Sequence, residues 1–242
     1  MTVQHKKIND MLIVHNKKKS NYKFIIDFTP KAGCSIICKM FFDYMDELEK
    51  ALNYSPWIHN YRIKYYYHKY GFVHYNQLSS NKIIKIKFVR NPYSRAVSSF
   101  IHVMKTELKQ LFNNEDMSFY DFLINLKKNK YPSNPHYNLQ MNNLEKKNTF
   151  NHIIKIENLE KEIKNLNERF NLNLNCNFTS NHHIIKEKNN QNVCYVKYSE
   201  ISKIPTYNNF YNKETKDLVY EIYYPDIIGY NYTFEEFLKS TM

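Results

Sequence analysis

Lys23-Phe24-Ile25-Ile26-Asp27-Phe28-Thr29-Pro30-Lys31-Ala32-Gly33-Cys34-Ser35 is the stretch that decides the fold. Lys23 to Phe28 is an apolar run of strand length, and the residues after it make a short turn of small and hydroxyl side chains with one lysine. From Ser35 onward Ile36, Ile37, Met40, Phe41, Tyr44, Met45, Leu48 and Leu52 follow helical spacing, which gives a helix one apolar face. Strand, tight loop, helix is the reading. The pattern recurs at Ile83 to Val89, which ends in Arg90-Asn91-Pro92 and leads into Ala96, Val97, Phe100, Ile101 and Met104. Asn91 carries the acceptor an N-cap needs, and Pro92 suits the first helical position, where an N–H would be unpaired anyway. A third strand at His152 to Ile156 leads into a helix at Leu159 to Phe170, and Ser118 with Asp121 reads as a capping box opening a helix through Leu126. Strands alternating with helices argue for an α/β fold, a parallel sheet covered on both faces. The stretches 165–181 and 186–192, rich in Asn and other polar residues, read as surface loops.

The chain has 242 residues, which suits a basic N-terminal extension over 1–22 and a single α/β domain over 23–242. Hydrophobic content of 43% supplies a core for a domain of that size, which argues against wholesale disorder. Lys and Arg number 35 against 23 for Asp and Glu, a formal charge of 35 − 23 = +12, which favours an anionic partner. No run approaches the ~18 to 20 apolar residues of a membrane span, and the Lys-rich first twenty residues lack the apolar core of a secretory signal. A soluble, cytoplasmic protein is expected. Cys34, Cys38, Cys176 and Cys194 are too few and scattered for a disulfide framework, so reduced thiols are expected.

In an open parallel sheet, ligands sit beyond the C-terminal strand ends, where helix N-termini offer N–H groups to anions. Residues 30–35 supply a small-residue turn, a lysine, a thiol and a hydroxyl at one such end. The Walker spacing G-x-x-x-x-G-K-[ST] is missing, so an ordinary ATP or GTP loop is not indicated. At the second end, Arg90 offers a planar fork for a phosphate, and Ser98 a hydroxyl two turns into the following helix. Either half alone is more often a solvated lysine or an ordinary helix start.

Together and in this order, the two segments resemble the two signatures of sulfotransferases that use 3'-phosphoadenosine 5'-phosphosulfate (PAPS). Residues 29–35 are similar to the loop that binds the 5'-phosphosulfate, and residues 88–100 to the segment that binds the 3'-phosphate. The resemblance implies a P-loop-like three-layer fold with a central parallel sheet flanked by helices. It also implies a cofactor site made of Lys31, Ala32, Gly33, Cys34, Ser35, Ile36, Arg90 and Ser98. Within the superfamily the likeness is to the Golgi-type carbohydrate sulfotransferases acting on chondroitin, dermatan, heparan and glucuronyl glycans. Residues 134–140 (N-P-H-Y-N-L-Q), 154–159 (I-K-I-E-N-L) and 220–230 are similar to further segments of that group, so the resemblance runs from about Lys23 to Tyr232. There are departures. The aromatic pair at Tyr70 and Phe72 stands where heparan 2-O-transferring members have histidines, and Ile36 stands where soluble members have an adenine-stacking aromatic.

The resemblance implies in-line sulfuryl transfer from PAPS to an acceptor hydroxyl, most naturally on a glycan, with no metal in the scheme. Lys31 would place positive charge where the bridging oxygen turns anionic. A histidine is the natural base at neutral pH, and His136 is the first candidate, His102 the second and His74 the third, with the carboxylate of Glu157 a further one. Tyr61 to Tyr75, interleaved with Arg62, Lys64, His68 and Lys69, reads equally as a sugar-stacking platform or as an amphipathic helix with tyrosines in the core. His182, His183 and Lys186 resemble a late cofactor-contacting loop. Competing readings are a nucleotide kinase lacking the Walker pattern, a basic nucleic-acid-binding module, and a non-catalytic glycan-binding relative. The acceptor is open between glycan, protein tyrosine, lipid and small phenol.

Overall fold

Phe24, Ile26 and Phe28 alternate along the strand Lys23–Phe28 and are all buried on one face of a four-stranded sheet. The computed structural model describes residues 7–8, 12–13, 23–70, 73–74, 78, 80–141, 149–179 and 191–241. The strands are β1 Lys7–Ile8, β2 Leu12–Ile13, β3 Lys23–Phe28, β4 Val73–His74, β5 Ile83–Val89 and β6 His152–Lys155. The helices are α1 Cys34–Tyr44, α2 Leu48–Tyr54, α3 Ile58–Tyr61, α4 Tyr67–Tyr70, α5 Pro92–Lys105, α6 Phe119–Lys127, α7 Leu159–Phe170, α8 Lys213–Ile222, α9 Tyr224–Gly229 and α10 Phe234–Thr241. No described helix is long and apolar enough to cross a membrane. Two compact units result: Met1–Val89 with Asn142–Asn181, and Arg90–Met141 with His182–Met242.

The first unit holds the sheet, in the order β2-β3-β5-β6. β3, β5 and β6 run parallel, with Phe28 opposite Phe88 and Phe88 opposite Ile154, while β2 pairs antiparallel at the edge with Leu12 opposite Ile26. The fold is α/β, three parallel strands flanked by helices, with α1 and α7 packing Ile37, Phe41, Ile163 and Leu166 into the same core as Ile26, Ile86 and Ile154. The 1–22 segment thus contributes strands: Leu12 of β2 is fully buried, and β1 pairs antiparallel with β4. β5 alternates as a half-exposed strand would, yet its lysines are buried. Lys87 Nζ lies 3.2 Å from Asp27 Oδ2, its partner in register, and Lys85 Nζ donates to the carbonyls of Leu78 and Ser80. A buried ammonium has to be paired, and both are.

α1 stops at Tyr44, although the apolar spacing continues to Leu52. Asp46 takes φ 57, the chain turns, and α2 carries the remaining positions. From α3 to α4 the backbone passes through a π-helical turn at Arg62–Tyr66. Tyr61, Tyr66 and Tyr67 are buried, as the core reading of this stretch requires, while Lys64, His68 and Lys69 are exposed. Glu47 holds the tyrosines, accepting from Tyr61 Oη at 2.6 Å and Tyr70 Oη at 2.5 Å. Of the 165–181 stretch, 165–170 is helix, the end of α7.

The second unit is helical around a core of Phe100, Phe119, Phe122, Phe210 and Phe237. Asn91 caps α5 as expected, its Oδ1 accepting from Tyr93 N at 3.0 Å with Pro92 at the first helical position. Ser118 and Asp121 form the expected capping box on α6.

Candidate active site

The loop from β3 to α1 is built by one turn and two left-handed residues. Ala32 N–H donates to Thr29 O at 3.1 Å, while Lys31 and Gly33 have φ of 70 and 76. Gly33 then occupies the N-cap without any side-chain cap, and its carbonyl accepts from the N–H groups of Ile36 and Ile37. Among the described residues the N–H groups of Gly33, Cys34 and Ser35 have no acceptor. Three donors at one helix N-terminus, where the helix dipole gathers positive charge, suit a phosphate oxygen. Ala32 is fully buried with its N–H committed to Thr29, so the open donors begin at Gly33. Ser35 is half-buried on the first turn, with its Oγ 3.3 Å from Nε2 of His59, and Ile36 is half-buried beside it.

The φ of Gly33 carries a prediction. A Cβ there would meet Ile156 at 3.5 Å, ordinary contact, so Gly33→Ala adds backbone strain and no clash. A left-handed L-residue costs about 1–2 kcal/mol, which the midpoint of urea unfolding should register. An unchanged midpoint would mean that the loop takes another conformation.

In the second unit Arg90 is half-buried, with its guanidinium 5.8 Å from the centre of the Tyr207 ring. Its backbone is gripped by one side chain. Arg90 N–H donates to Gln140 Oε1 at 2.9 Å, and Gln140 Nε2 donates to Arg90 O at 2.8 Å, so the amide stands in for a neighbouring strand. Gln140 is anchored in turn, because its own N–H and that of Met141 donate to the two carboxylate oxygens of fully buried Asp226, at 2.8 and 2.7 Å. Ser98 is half-buried on α5 within a run of buried neighbours.

His136 lies in a segment whose carbonyls are captured one after another. Arg95, 1% exposed, donates to Pro135 O at 2.9 Å and Asn138 O at 2.7 Å; Ser99 Oγ donates to His136 O at 2.6 Å; Tyr223 Oη donates to Tyr137 O at 2.8 Å. Burial pushes the Arg95 pKa down, opposed by Tyr223 and the Asp226 carboxylate nearby. A guanidinium remains protonated even so, and it supplies donors to two carbonyls, of Pro135 and Asn138, that would otherwise be buried bare.

The protonation of His136 follows from geometry. Asn134 Oδ1 accepts from His136 N–H at 3.0 Å, and a backbone N–H can only donate, so the atom there is oxygen. The ring's Nδ1 lies 2.8 Å from that same oxygen and must carry a proton. Nε2 of the neutral ring therefore holds the lone pair that a base uses. The ring stacks on His102 at 4.6 Å and 25°, which brings the first two candidate bases together.

Glu157 is exposed in the short 3-10 turn that follows β6. His74 is on β4, opposite Lys7, and nothing beyond that backbone pairing is described for it; His182, His183 and Lys186 lie outside the described residues. Among the described residues no group of three His, Cys, Asp or Glu side chains could hold a metal ion. Several contributors escaped the motif reading, Arg95 and His59 among them. Arg95 sits inside the quoted signature but works as a scaffold, and His59 lies in an aromatic stretch without a motif.

The model of the sulfotransferase family matches residues 15–233, a span that draws on both units. No curated protein and no solved structure matches the chain.

Proposed function

The chain belongs to the sulfotransferase family, whose reaction is sulfuryl transfer to a hydroxyl-bearing acceptor, and from that premise we propose PAPS as the donor, a carbohydrate hydroxyl as the acceptor and His136 as the base. The observation that carries the donor assignment is the set of open N–H groups at Gly33, Cys34 and Ser35, at a strand-to-helix junction with Lys31 in the turn. That donor set fits a phosphate. Bound there, PAPS supplies an activated sulfuryl group on a phosphate leaving group. The residues do the rest: residues 31–36 hold the 5'-phosphosulfate end, Arg90 and Ser98 the 3'-phosphate, and Lys31 faces the charge that develops on the leaving oxygen. His136 Nε2 takes the acceptor's proton, with Nδ1–H held by Asn134. The carbohydrate acceptor rests on the similarity of residues 134–140, 154–159 and 220–230 to the glycan-sulfating group, and the formal charge of +12 suits an acidic glycan.

The test is thermal unfolding with adenosine 3',5'-bisphosphate, against ATP and double-stranded DNA as controls. At ~100 times the dissociation constant a ligand adds about 2.7 kcal/mol, a midpoint rise of roughly 5 to 10 °C for a chain of this size. The rise should be selective for the bisphosphate and absent in Lys31→Ala and Arg90→Ala. A shift with ATP or DNA alone would replace the reading with the kinase or nucleic-acid one. Transfer of sulfur-35 from PAPS to a panel of glycans, tyrosine peptides, lipids and phenols then identifies the acceptor.

A further inference from the structure

Ser35 is in the first turn of α1, and its hydroxyl is among the groups that the loop offers an anion. His59 on α3 is 6% exposed, and its ring spans two side chains of α1. Nε2 lies 3.3 Å from Ser35 Oγ, Nδ1 lies 3.8 Å from Cys38 Sγ, and the Trp57 ring packs edge-on at 5.5 Å. A hydroxyl has a single proton. With Nε2 accepting, Ser35 gives that proton to the ring and meets an oxyanion with lone pairs; with Nε2 donating, Ser35 keeps the proton for the anion. Cys38, fully buried, bears on the choice, since its S–H is a donor and Nδ1 is the atom it faces. A thiol donating to Nδ1 leaves the ring's own proton on Nε2.

We propose that His59 is a positioning residue for the phosphosulfate loop: Cys38 S–H donates to Nδ1, Nε2–H donates to Ser35 Oγ, and the Ser35 hydroxyl donates to the bound phosphate. Every hydrogen bond in that series runs towards the anion, and the mutual polarisation of such a series strengthens its last member. The inference rests on the proposal that residues 31–36 bind the phosphate end of the donor.

Calorimetric titration of the full chain with adenosine 3',5'-bisphosphate tests it. His59→Phe keeps a ring and loses the donor, and should weaken binding about tenfold, the upper end of the worth of one neutral hydrogen bond. In a Ser35→Ala background the same substitution should change binding by less than about twofold. The conservative variants discriminate further, because a glutamine amide nitrogen reaches the place of Nε2 and an asparagine that of Nδ1. His59→Gln should bind like the unsubstituted protein, and His59→Asn like His59→Phe. Equal losses in both Ser35 backgrounds, or no difference between the Gln and Asn variants, would reduce His59 to packing and overturn the inference. If the unsubstituted protein binds no bisphosphate, the donor assignment falls and the inference with it. If it binds and the His59 variants bind equally well, the inference falls alone.

Discussion

Lys31→Ala is expected to lower the turnover number by about 10²- to 10³-fold, the usual effect of removing one preorganised charge from a developing oxyanion. Stability should follow the backbone conformation rather than the charge, and that separates a catalytic lysine from a structural one. Lys31 is held at φ 70, a conformation that costs an L-residue about 1–2 kcal/mol. Lys31→Gly removes that strain and the charge together, so it should unfold at a higher urea midpoint than Lys31→Ala while being equally slow. Strain retained in a ligand loop is common where the bound state requires the conformation. Comparing the two variants, by sulfur-35 transfer and by urea unfolding, therefore tests charge and backbone apart. Turnover within tenfold of the unsubstituted rate in both variants would make Lys31 a solvated charge and move the leaving-group cation elsewhere.

Local signals and long-range contacts divide what could be read in advance. β3, β5 and α7 lie where their spacing puts them, and the caps at Asn91 and Ser118 form as read, because strand length, helical period and capping are decided within a few residues. The end of α1 was not legible, since the apolar spacing runs on through Asp46 and only the turn there, without glycine or proline, breaks the helix. The burial of the β5 lysines was not legible for a similar reason. Their alternation is that of a strand facing water, and the carboxylate that buries Lys87 comes from β3, sixty residues earlier in the chain. In the candidate site, residues 29–36 were read as a block because a strand-to-helix loop is one contiguous piece of chain. Asn134 was assigned no role because, although two residues from the ring it holds, it carries no signal of that role in its residue type. Arg95, Gln140 and Asp226 were assigned none because each acts on a backbone group that becomes its neighbour only after folding. His59 is of the same kind, twenty-four residues from the serine it touches.

His136→Ala should reduce transfer by about 10²- to 10⁴-fold if the ring is the base, with little change in bisphosphate affinity, since the acceptor and not the donor loses its partner. The fold should tolerate the change. The segment is held through its carbonyls by Arg95, Ser99 and Tyr223, and the His136 ring takes no part in those bonds. Added imidazole should restore part of the rate, as free base entering the space the ring has left, and the rate in the variant should lose the acid limb that a histidine base imposes on the pH profile. His102 stands 4.6 Å away in a parallel stack and is the natural competitor, so His102→Ala is the necessary partner experiment. A base acting at Nε2 also depends on its tautomer. Asn134→Leu removes the acceptor from Nδ1–H and should cost about tenfold in rate, the worth of one hydrogen bond, whereas Asn134→Asp keeps the acceptor and should keep the rate. Loss in His102→Ala with full activity in His136→Ala would exchange the two roles. Full activity in both would take the base away from this pair, and indifference to Asn134→Leu would show that the Nδ1 bond orients nothing the reaction uses.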